Sequence, residues 1–398
     1  MEIKIIPKED YNKMSQIQQS AYASSFKGTK DEIKILSDIF TDLTDNGEIR
    51  ALGAYDGETM LGCVLYYEFQ TNFHHEMIRT AGIGSLAVDL LHKKKHVAHA
   101  LINHSFELAR QEKADLYYLY PFSTNFYRNF GFGYGSPMYT YCASPKDFVD
   151  KGDKSILTYG SESDYEAIFE LHDSLARNTQ GMSMKTYGDK RRIREMKTGK
   201  LVLAKDQEEL IGYLVYTQKG LSESDDQSQK MVIAEMFYNN SKALNAFGSF
   251  FNSQKDQIDY IQIATHDGQF QQLLNNTNFA PEPKTMEIIS LKVADKSLGL
   301  MPYALEPQNL LDRLKVDLSH QLSFTIKHPR SEDKTAVIGQ GVEIMITVEI
   351  NEFSSWITGV ISLKELYDFG QLETNHPEFL RSIDQQLYFE SPKSFARF

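Results

Sequence analysis

The chain has 398 residues, of which 41% are hydrophobic and 12% aromatic, which is typical of globular cores and long enough for two or three domains. The formal net charge of −12 argues against nucleic acid as the main partner, because phosphate binding requires a basic face. With two cysteines, no signal peptide and no apolar run of about 20 residues, we expect a cytoplasmic protein without a disulfide framework or membrane contact.

The first elements predicted along the chain are two helices, a hairpin and a strand. Apolar residues recur at helical spacing over residues 11–26 and again over residues 31–43. Residues 49–69 predict a hairpin with its turn at residues 56–58, and the strand GIGSLAV follows at residues 82–88. The two glycines of this strand indicate a β-bulge or a close approach of another backbone.

The segment 82–136 has the order strand, basic turn HKKKH, helix, strand LYYLYPF and short helix. The first helix is predicted over residues 97–111, and Ser123 or Thr124 can cap the short helix that carries Tyr127. A strand that leads directly into a helix N-terminus presents backbone N–H groups to an anion. We therefore predict an acyl-CoA site, with the pantetheine amides on the strand edge and the diphosphate over the basic turn.

Each of these features also has a plainer structural interpretation. The basic turn by itself is more simply a solvated charge run, and Tyr127 is one of 22 tyrosines. The order of the elements favours a site, because a phenol beside a thioester can protonate the departing thiolate. The group His74-His75-Glu76 has the residue types of metal ligands, but no second cluster at useful spacing supports it, so we expect no metal site.

The same order of elements recurs in the second part of the chain, which indicates an internal duplication. The elements predicted for this copy are a helix at 164–178, a hairpin at 201–217, a strand at 232–237, a helix at 241–251, a strand at 260–265 and a short helix at 269–275. This copy lacks the basic turn, since residues 239–241 read NNS before a single Lys242. Gln271 falls opposite Tyr127. We therefore interpret the second copy as structural.

The last part of the chain predicts a small α+β domain. It contains the alternating strand VEIMITV at residues 342–348, the run WITGVISL at residues 356–363, interpreted as its partner strand, and a helix-like segment, KELYDFG. This strand pair around Trp356 could enclose an apolar ligand, although a packed core is the simpler interpretation.

The segment SLAVDLLHKKKHVA resembles the signature of the GNAT acetyltransferase core, Gln/Arg-x-x-Gly-x-Gly/Ala after a strand that ends in valine. Lys93 stands at the first signature position, His96 at the first glycine and Ala98 at the last. Together with YPFSTNFYRNFGFGYG and the layout of the whole chain, this segment is similar to the enhanced-intracellular-survival (Eis-like) acetyltransferases. The resemblance implies an α/β and α+β fold with two tandem GNAT-like domains, at residues 1–143 and 144–290, and a sterol-carrier-protein-like domain at residues 291–398.

By this similarity the chain is an N-acetyltransferase that moves acetyl from acetyl-CoA to a primary amine. Tyr127 is then the general acid and the C-terminal carboxylate of Phe398 the general base, with Asp89 as the rival for the base. The resemblance also implies aminoglycoside-type or polyamine acceptors, protein lysines as further acceptors, and a homohexamer. The implied cofactor contacts lie on the strand end, the basic turn and the second strand: Leu86, Ala87, Val88, Lys94, Lys95, His96, Val97, Ala98, His99, Phe122 and Ser123.

A second hypothesis is a non-catalytic protein that binds a lipid or another ligand in its third domain. His96 is the feature that favours it, because a side chain restricts the backbone where the signature has glycine.

Overall fold

The computed structural model describes residues 1–222, 225–277 and 292–394. The chain divides into two compact units. The first unit contains residues 1–135, residues 180–188 and the chain from Leu300 onward, and the second contains residues 136–179 and 189–299. No helix in these described ranges is long and apolar enough to cross a bilayer.

The regular elements follow one another in three groups along the chain. The first group is β1 (Glu2–Ile5), α1 (Tyr11–Ala21), α2 (Lys30–Asp45), β2 (Ile49–Asp56), β3 (Thr59–Phe73), β4 (Glu76–Val88), α3 (Val97–Gln111), β5 (Leu116–Leu119), α4 (Thr124–Arg128) and β6 (Pro137–Ala143). The second group is β7 (Leu157–Tyr159), α5 (Tyr165–Ala176), α6 (Tyr187–Arg194), β8 (Lys200–Asp206), β9 (Glu209–Ser222), β10 (Asp225–Tyr238), α7 (Ser241–Asn252), β11 (Tyr260–Thr265) and β12 (Asp295–Leu298). The third group is β13 (Met301–Ala304), α8 (Pro307–Arg313), β14 (His320–Lys327), β15 (Lys334–Ile338), β16 (Val342–Glu349), α9 (Ile350–Ile357), α10 (Leu363–Asp368), β17 (Leu372–Thr374) and α11 (Leu380–Leu387).

The first unit contains a mixed sheet with the strand order β1-β2-β3-β4-β5-β13. Neighbouring strands from β1 to β4 are antiparallel, β5 runs parallel to β4, and β13 pairs antiparallel with β5. Strand β13 comes from the last part of the chain, so this part completes the sheet of the first copy. The apolar face of α3 (Val97, Leu101, Ile102, Phe106) is buried, which confirms the helix predicted over residues 97–111.

The second unit contains a sheet with the strand order β12-β6-β11-β10-β9-β8-β7. Its core is built by Tyr141, Leu214, Met231, Phe247 and Ile261, together with the apolar residues around them. Helix α7 begins where Asn240 accepts the N–H of Ala243 at 3.1 Å. The strands and helices predicted for the second copy are present, and the last is a 3-10 helix, Phe270–Leu273. Strand β6 precedes the predicted boundary at residue 143 but lies in this sheet.

The last part of the chain forms a sheet with the order β15-β14-β16-β17, which belongs to the first unit. VEIMITV is a strand, as predicted, but the prediction of WITGVISL as its partner strand is wrong. Trp356 lies in α9, and Gly359, with φ of +85°, ends the helical segment after it. Every residue of α9 is buried, so the helix has no exposed polar face, and the sequence lacks the alternation of apolar and polar residues that identifies a helix. Trp356 packs on Phe324, with ring centroids 5.0 Å apart.

A half-buried histidine, His74, lies at the turn between β3 and β4. Nε2 of His74 is 3.2 Å from the carbonyl of Ile357, and the ring lies 4.3 Å from that of Phe389. The net effect of burial, which lowers the pKa of His74 most, of the hydrogen bond to the carbonyl of Ile357, which raises it, and of the neighbouring His75, which lowers it, is a pKa of about 4. The folded protein therefore resists protonating this imidazole.

We expect the His74→Gln variant to lose less stability in mild acid than the wild type. The unfolded chain protonates His74 below a pH of about 6.5, whereas the folded chain does so only near pH 4. The stability that depends on neutral His74 is thus complete above pH 6.5 and decreases by at most about 1.4 kcal/mol per pH unit below it. Urea unfolding at pH 7, 6 and 5 measures this slope. His104→Gln, at an exposed position of α3, is the matched control, and equal slopes for wild type and His74→Gln would contradict the assignment.

Candidate active site

A β-bulge interrupts the end of β4. Gly84 lies opposite Leu65 and Ala87 opposite Cys63, so β4 holds one more residue than β3 between these two pairs. Ser85, in the bulge, has a φ of +54°, in the left-handed region. The bulge predicted from the glycines is therefore present, immediately after Gly84.

Two side chains from the first helical segment bind the carbonyls of this bulge. Nε2 of Gln18 donates to the carbonyl of Ser85, and the hydroxyl of Tyr22 donates to the carbonyl of Leu86 at 2.7 Å. Gln18 is 3% exposed, on the apolar face of α1. Neither residue belongs to a sequence motif that assigns it to the site. The sequence does hold one indication of this role, since Gln18 falls on the same helix face as the apolar Met14 and Ile17. A glutamine on a buried face needs a hydrogen-bond partner for its amide.

Strand β4 continues beyond the end of its pairing with β5. Their pairing ends at Ile83 and Leu119, although β4 continues to Val88. Pro121 follows shortly after β5 and has no N–H to continue a ladder. Among the described strands, none pairs with residues 84–88 on the side that faces away from β3. An unpaired strand edge therefore lines the opening.

The turn between β4 and α3 has an unusual backbone. The carboxylate of Asp89 accepts the N–H of Leu91 and contacts Nδ1 of His92, both at 2.9 Å, so Asp89 is a turn residue. Lys94 and His96 have φ of +65° and +58°, which is uncommon for residues other than glycine. No side chain caps the N-terminus of α3. A turn of this kind directs successive N–H groups to one side, where they can bind an anion.

The same turn holds a group of cations. The side chains of Lys93, Lys94 and Lys95 are exposed, and none of them forms an ion pair with a described residue. The chain as a whole carries a net charge of −12. Three lysines without an ion-pair partner, beside a helix N-terminus, favour the binding of an anionic ligand here.

A cavity of about 610 Å³ lies between the end of β4, this turn and the start of α4. It is lined by nine of the predicted cofactor contacts: Leu86, Ala87, Val88, Lys94, His96, Val97, Ala98, His99 and Phe122. The other two predicted contacts are not in the lining. Lys95 is exposed in the turn, and the hydroxyl of Ser123 accepts the N–H of Phe126 at 3.4 Å, which confirms Ser123 as the cap of α4. The lining also contains Ala21, Tyr22, His92, Lys93 and Phe126.

Tyr127 lies on α4 and is 3% exposed. Its ring packs against Phe122, a lining residue, with centroids 5.2 Å apart. Its hydroxyl forms no hydrogen bond with any residue that the structure describes. Burial raises the pKa of Tyr127 well above its usual range, and the nearby phenol of Tyr22 raises it further. The phenol is therefore protonated at neutral pH, beside a wall of the cavity but not itself in the lining.

Helix α4 is held in place by α9, in the same compact unit. Arg128 forms an ion pair with Glu352 at 2.5 Å, and Glu352 is 6% exposed. Nδ2 of Asn351 donates to the carbonyls of Arg128 and Phe132, at 2.7 and 3.1 Å. A Cβ on Gly133 would lie 2.3 Å from the carbonyl of Asn351, so only glycine allows this approach.

Phe398 lies outside the described residues. Before it, the backbone N–H of Lys393 donates to the carbonyl of Gln180 at 2.8 Å. Pro392 lies against Gly181, where an added Cβ would be 2.5 Å from the proline ring. The described end of the chain is thus fixed on residues 180–181. No group of three or more potential metal-ligating side chains occurs within the ranges that the structure describes.

Two family models match the chain. Residues 2–135 match an acetyltransferase (GNAT) domain, and residues 174–293 match a second acetyltransferase (GNAT) domain. No curated protein sequence matches the chain.

Solved structures share the fold over nearly the whole chain. A GCN5-related N-acetyltransferase from Anabaena variabilis is 16% identical, with 99% of this chain and 100% of that chain covered and a TM-score of 0.79. A probable N-acyltransferase from Enterococcus faecalis is 17% identical, with 100% and 99% covered and a TM-score of 0.77. Eis1 from Mycobacterium abscessus is 14% identical, with 99% and 98% covered and a TM-score of 0.73.

The matches define an enzyme class with a known cofactor. GNAT domains use acetyl-CoA, whose diphosphate and pantetheine suit the unpaired strand edge and basic turn described above. The chain contains two tandem GNAT domains, as predicted from the internal duplication. The protein is a GNAT-type N-acetyltransferase.

We expect Tyr22→Phe to destabilise the protein by about 1–3 kcal/mol, because the carbonyl of Leu86 then loses its partner. Urea unfolding at neutral pH gives the change in the free energy of unfolding. Tyr134→Phe is the control, since Tyr134 is 46% exposed and its hydroxyl forms no hydrogen bond with a residue that the structure describes. The control should change stability by less than about 0.5 kcal/mol. Equal stability of Tyr22→Phe and wild type would show that the bulge does not need this bond.

Proposed function

We propose that the enzyme transfers the acetyl group of acetyl-CoA to a primary amine of an aminoglycoside- or polyamine-like small molecule, as an Eis-like acetyltransferase. The observation that carries the proposal is the single cavity in which the unpaired end of β4 meets the basic turn of α3, with a buried phenol beside it. An acidic protein also attracts cationic amines, which suits such an acceptor.

The proposed cofactor contacts follow the length of the cavity. Pantetheine amides pair with the free edge at residues 86–88, where the carbonyl of Leu86 is already used by Tyr22. The diphosphate lies over the N–H groups that open α3, close to Lys93 and Lys94. The thioester then lies at the bulge end of the cavity, where Tyr22 binds the carbonyl of Leu86 and its phenol neighbours that of Tyr127.

In the proposed reaction the amine nitrogen attacks the thioester carbonyl, the new C–N bond forms and the C–S bond breaks. The hydroxyl of Tyr127 gives its proton to the departing thiolate and regains one from solvent. Its unpartnered hydroxyl and raised pKa support this role, because the group is protonated and available at neutral pH. The acceptor loses its own proton to a base, which by family resemblance is the C-terminal carboxylate of Phe398.

The position of residues 392–393 supports the proposed role of this carboxylate. The fixed segment at residues 392–393 lies on residues 180–181, within the unit that contains the cavity. An ionised terminal carboxylate, with an ordinary pKa of about 3.3–3.7, can accept the proton of the amine.

We also propose roles for the second GNAT domain and for the last part of the chain. The second GNAT domain is structural, because it lacks the basic turn and has Gln271 opposite Tyr127. The third sheet and its helices form a sterol-carrier-like domain, and a homohexamer is the proposed assembly. A protein-lysine acceptor is the alternative within the same chemistry. Assays with kanamycin-like compounds, polyamines and a histone peptide, followed by free-thiol release, distinguish these acceptors.

We expect Tyr127→Phe to lower kcat by about 10²–10⁴-fold, because the general acid is removed, while the affinity for acetyl-CoA is nearly unchanged. Steady-state free-thiol release gives kcat, and calorimetry gives the affinity. Because the pKa of Tyr127 is raised, the phenol stays protonated up to about pH 10, the usual phenol pKa. Wild-type kcat should therefore not decrease through ionisation of Tyr127 as the pH rises to about 10. Tyr134→Phe should retain wild-type kcat. A near-native rate for Tyr127→Phe would remove this residue from the mechanism.

We expect deletion of Phe398, or a tag fused to the C-terminus, to lower kcat strongly with little effect on acetyl-CoA binding, because the terminal carboxylate is removed or displaced. The same tag at the N-terminus is the matched control. Thermal unfolding with and without acetyl-CoA checks that each variant folds and binds the cofactor, since binding to the folded state raises stability. A tagged enzyme as active as the control would exclude the carboxylate as the base.

A further inference from the structure

We infer that Arg330, from the loop after β14, binds the 3′-phosphate of the coenzyme and so makes the last part of the chain a component of the cofactor site. This inference rests on the proposed use of acetyl-CoA in the cavity between β4 and α3. It adds a binding residue that neither the GNAT signature nor the cavity lining contains.

Arg330 lies next to the cavity through one shared aromatic ring. Its guanidinium lies over the ring of Phe130, 4.9 Å from the centroid. The ring of Phe130 is in turn 4.8 Å from that of His99, which lines the cavity. The charge of Arg330 also lowers the pKa of His99, after the larger effect of burial, as expected for neighbouring groups.

The guanidinium is positioned but not neutralised. Nε of Arg330 donates to the carbonyl of Asn129 at 2.6 Å. Arginine has five N–H groups, and the others form no hydrogen bond with a described residue. Glu332 and Asp333, in the same loop, form no ion pair with it. A fixed guanidinium with free N–H groups and no carboxylate partner is suited to bidentate binding of a phosphate.

The loop is pinned in a way that fixes the arginine. The backbone N–H of Arg330 donates to Nδ1 of His328 at 3.0 Å, and Nε2 of His328 lies 3.1 Å from the hydroxyl of Tyr303. Since Nδ1 accepts, the neutral ring carries its proton on Nε2 and donates it to Tyr303. Tyr303 is buried in β13, which belongs to the sheet of the first GNAT domain. A ligand therefore meets a preorganised cation.

The position of Arg330 relative to α3 indicates which anionic group of the coenzyme it binds, namely the 3′-phosphate. In the proposed orientation pantetheine lies at β4 and the diphosphate at the turn of residues 93–97. The nucleotide must then continue away from β4, and its remaining anionic group is the phosphate on the ribose. His99 is one helical turn beyond His96, with ring centroids 5.3 Å apart, and the ring of Phe130 contacts both His99 and the guanidinium of Arg330.

Calorimetric titration of the full chain with coenzyme A and with 3′-dephospho-coenzyme A tests the inference, because the two ligands differ only in this phosphate. We expect the wild type to bind coenzyme A at least about tenfold more tightly, as one charge-assisted contact predicts. Arg330→Gln should bind both ligands equally, and Arg330→Lys should recover part of the preference. In steady state, Arg330→Gln should raise the KM for acetyl-CoA and leave kcat unchanged.

Arg381→Gln is the matched control. Arg381 is exposed on α11 and carries the same charge, so this variant should keep the wild-type preference. An Arg330→Gln enzyme that still prefers coenzyme A, or that loses affinity for both ligands by the same factor, would overturn the inference while leaving the proposed function intact. A wild type that binds neither ligand would overturn the proposed function, and this inference with it.

Discussion

The site depends on one backbone irregularity and on the two side chains that stabilise it. The bulge at Ser85 lies in the part of β4 that continues past its pairing with β5, and the carbonyls of Ser85 and Leu86 would be costly to bury without partners. Gln18 and Tyr22 supply those partners from the first helical segment. The opening between the strands, the free edge at residues 84–88 and the position of the turn that begins α3 all follow from this arrangement.

The second constraint acts on α4. This helix has five residues, which is too short to be stable by itself. Asn351 and Glu352 bind its backbone and Arg128, and the loop that carries Arg330 binds the next carbonyl. Strand β13 also completes the first sheet. The last part of the chain therefore belongs to the same compact unit as the first GNAT domain and shapes its site, whatever further ligand it binds.

The sequence predicted those helices and strands in which apolar and polar residues alternate with the period of the element. Helix α3 and strand β11 have the predicted bounds. The helix has apolar residues at helical spacing along one face, and the strand is a short run with β-branched residues, so each shows its pattern in the sequence. The run around Trp356 wrongly predicts a strand, because α9 is buried on all sides and lacks the polar face that identifies a helix. Helix α1 ends at Ala21, five residues before its predicted end, and the next residue, Tyr22, turns its hydroxyl to Leu86. That contact spans 64 positions, so no local pattern contains it.

The amino-acid order by itself determined the duplication, the basic turn before α3 and the tyrosine after the second strand, because these depend on neighbours close in the chain. Most of the residues that line the cavity were implied by the family resemblance. Only the tertiary structure decided which helix satisfies the bulge, which strand closes the first sheet and which arginine lies beside His99. Each of these is a contact between segments far apart in sequence, and such contacts are selected by packing and by the need of buried polar groups for partners rather than by local propensity.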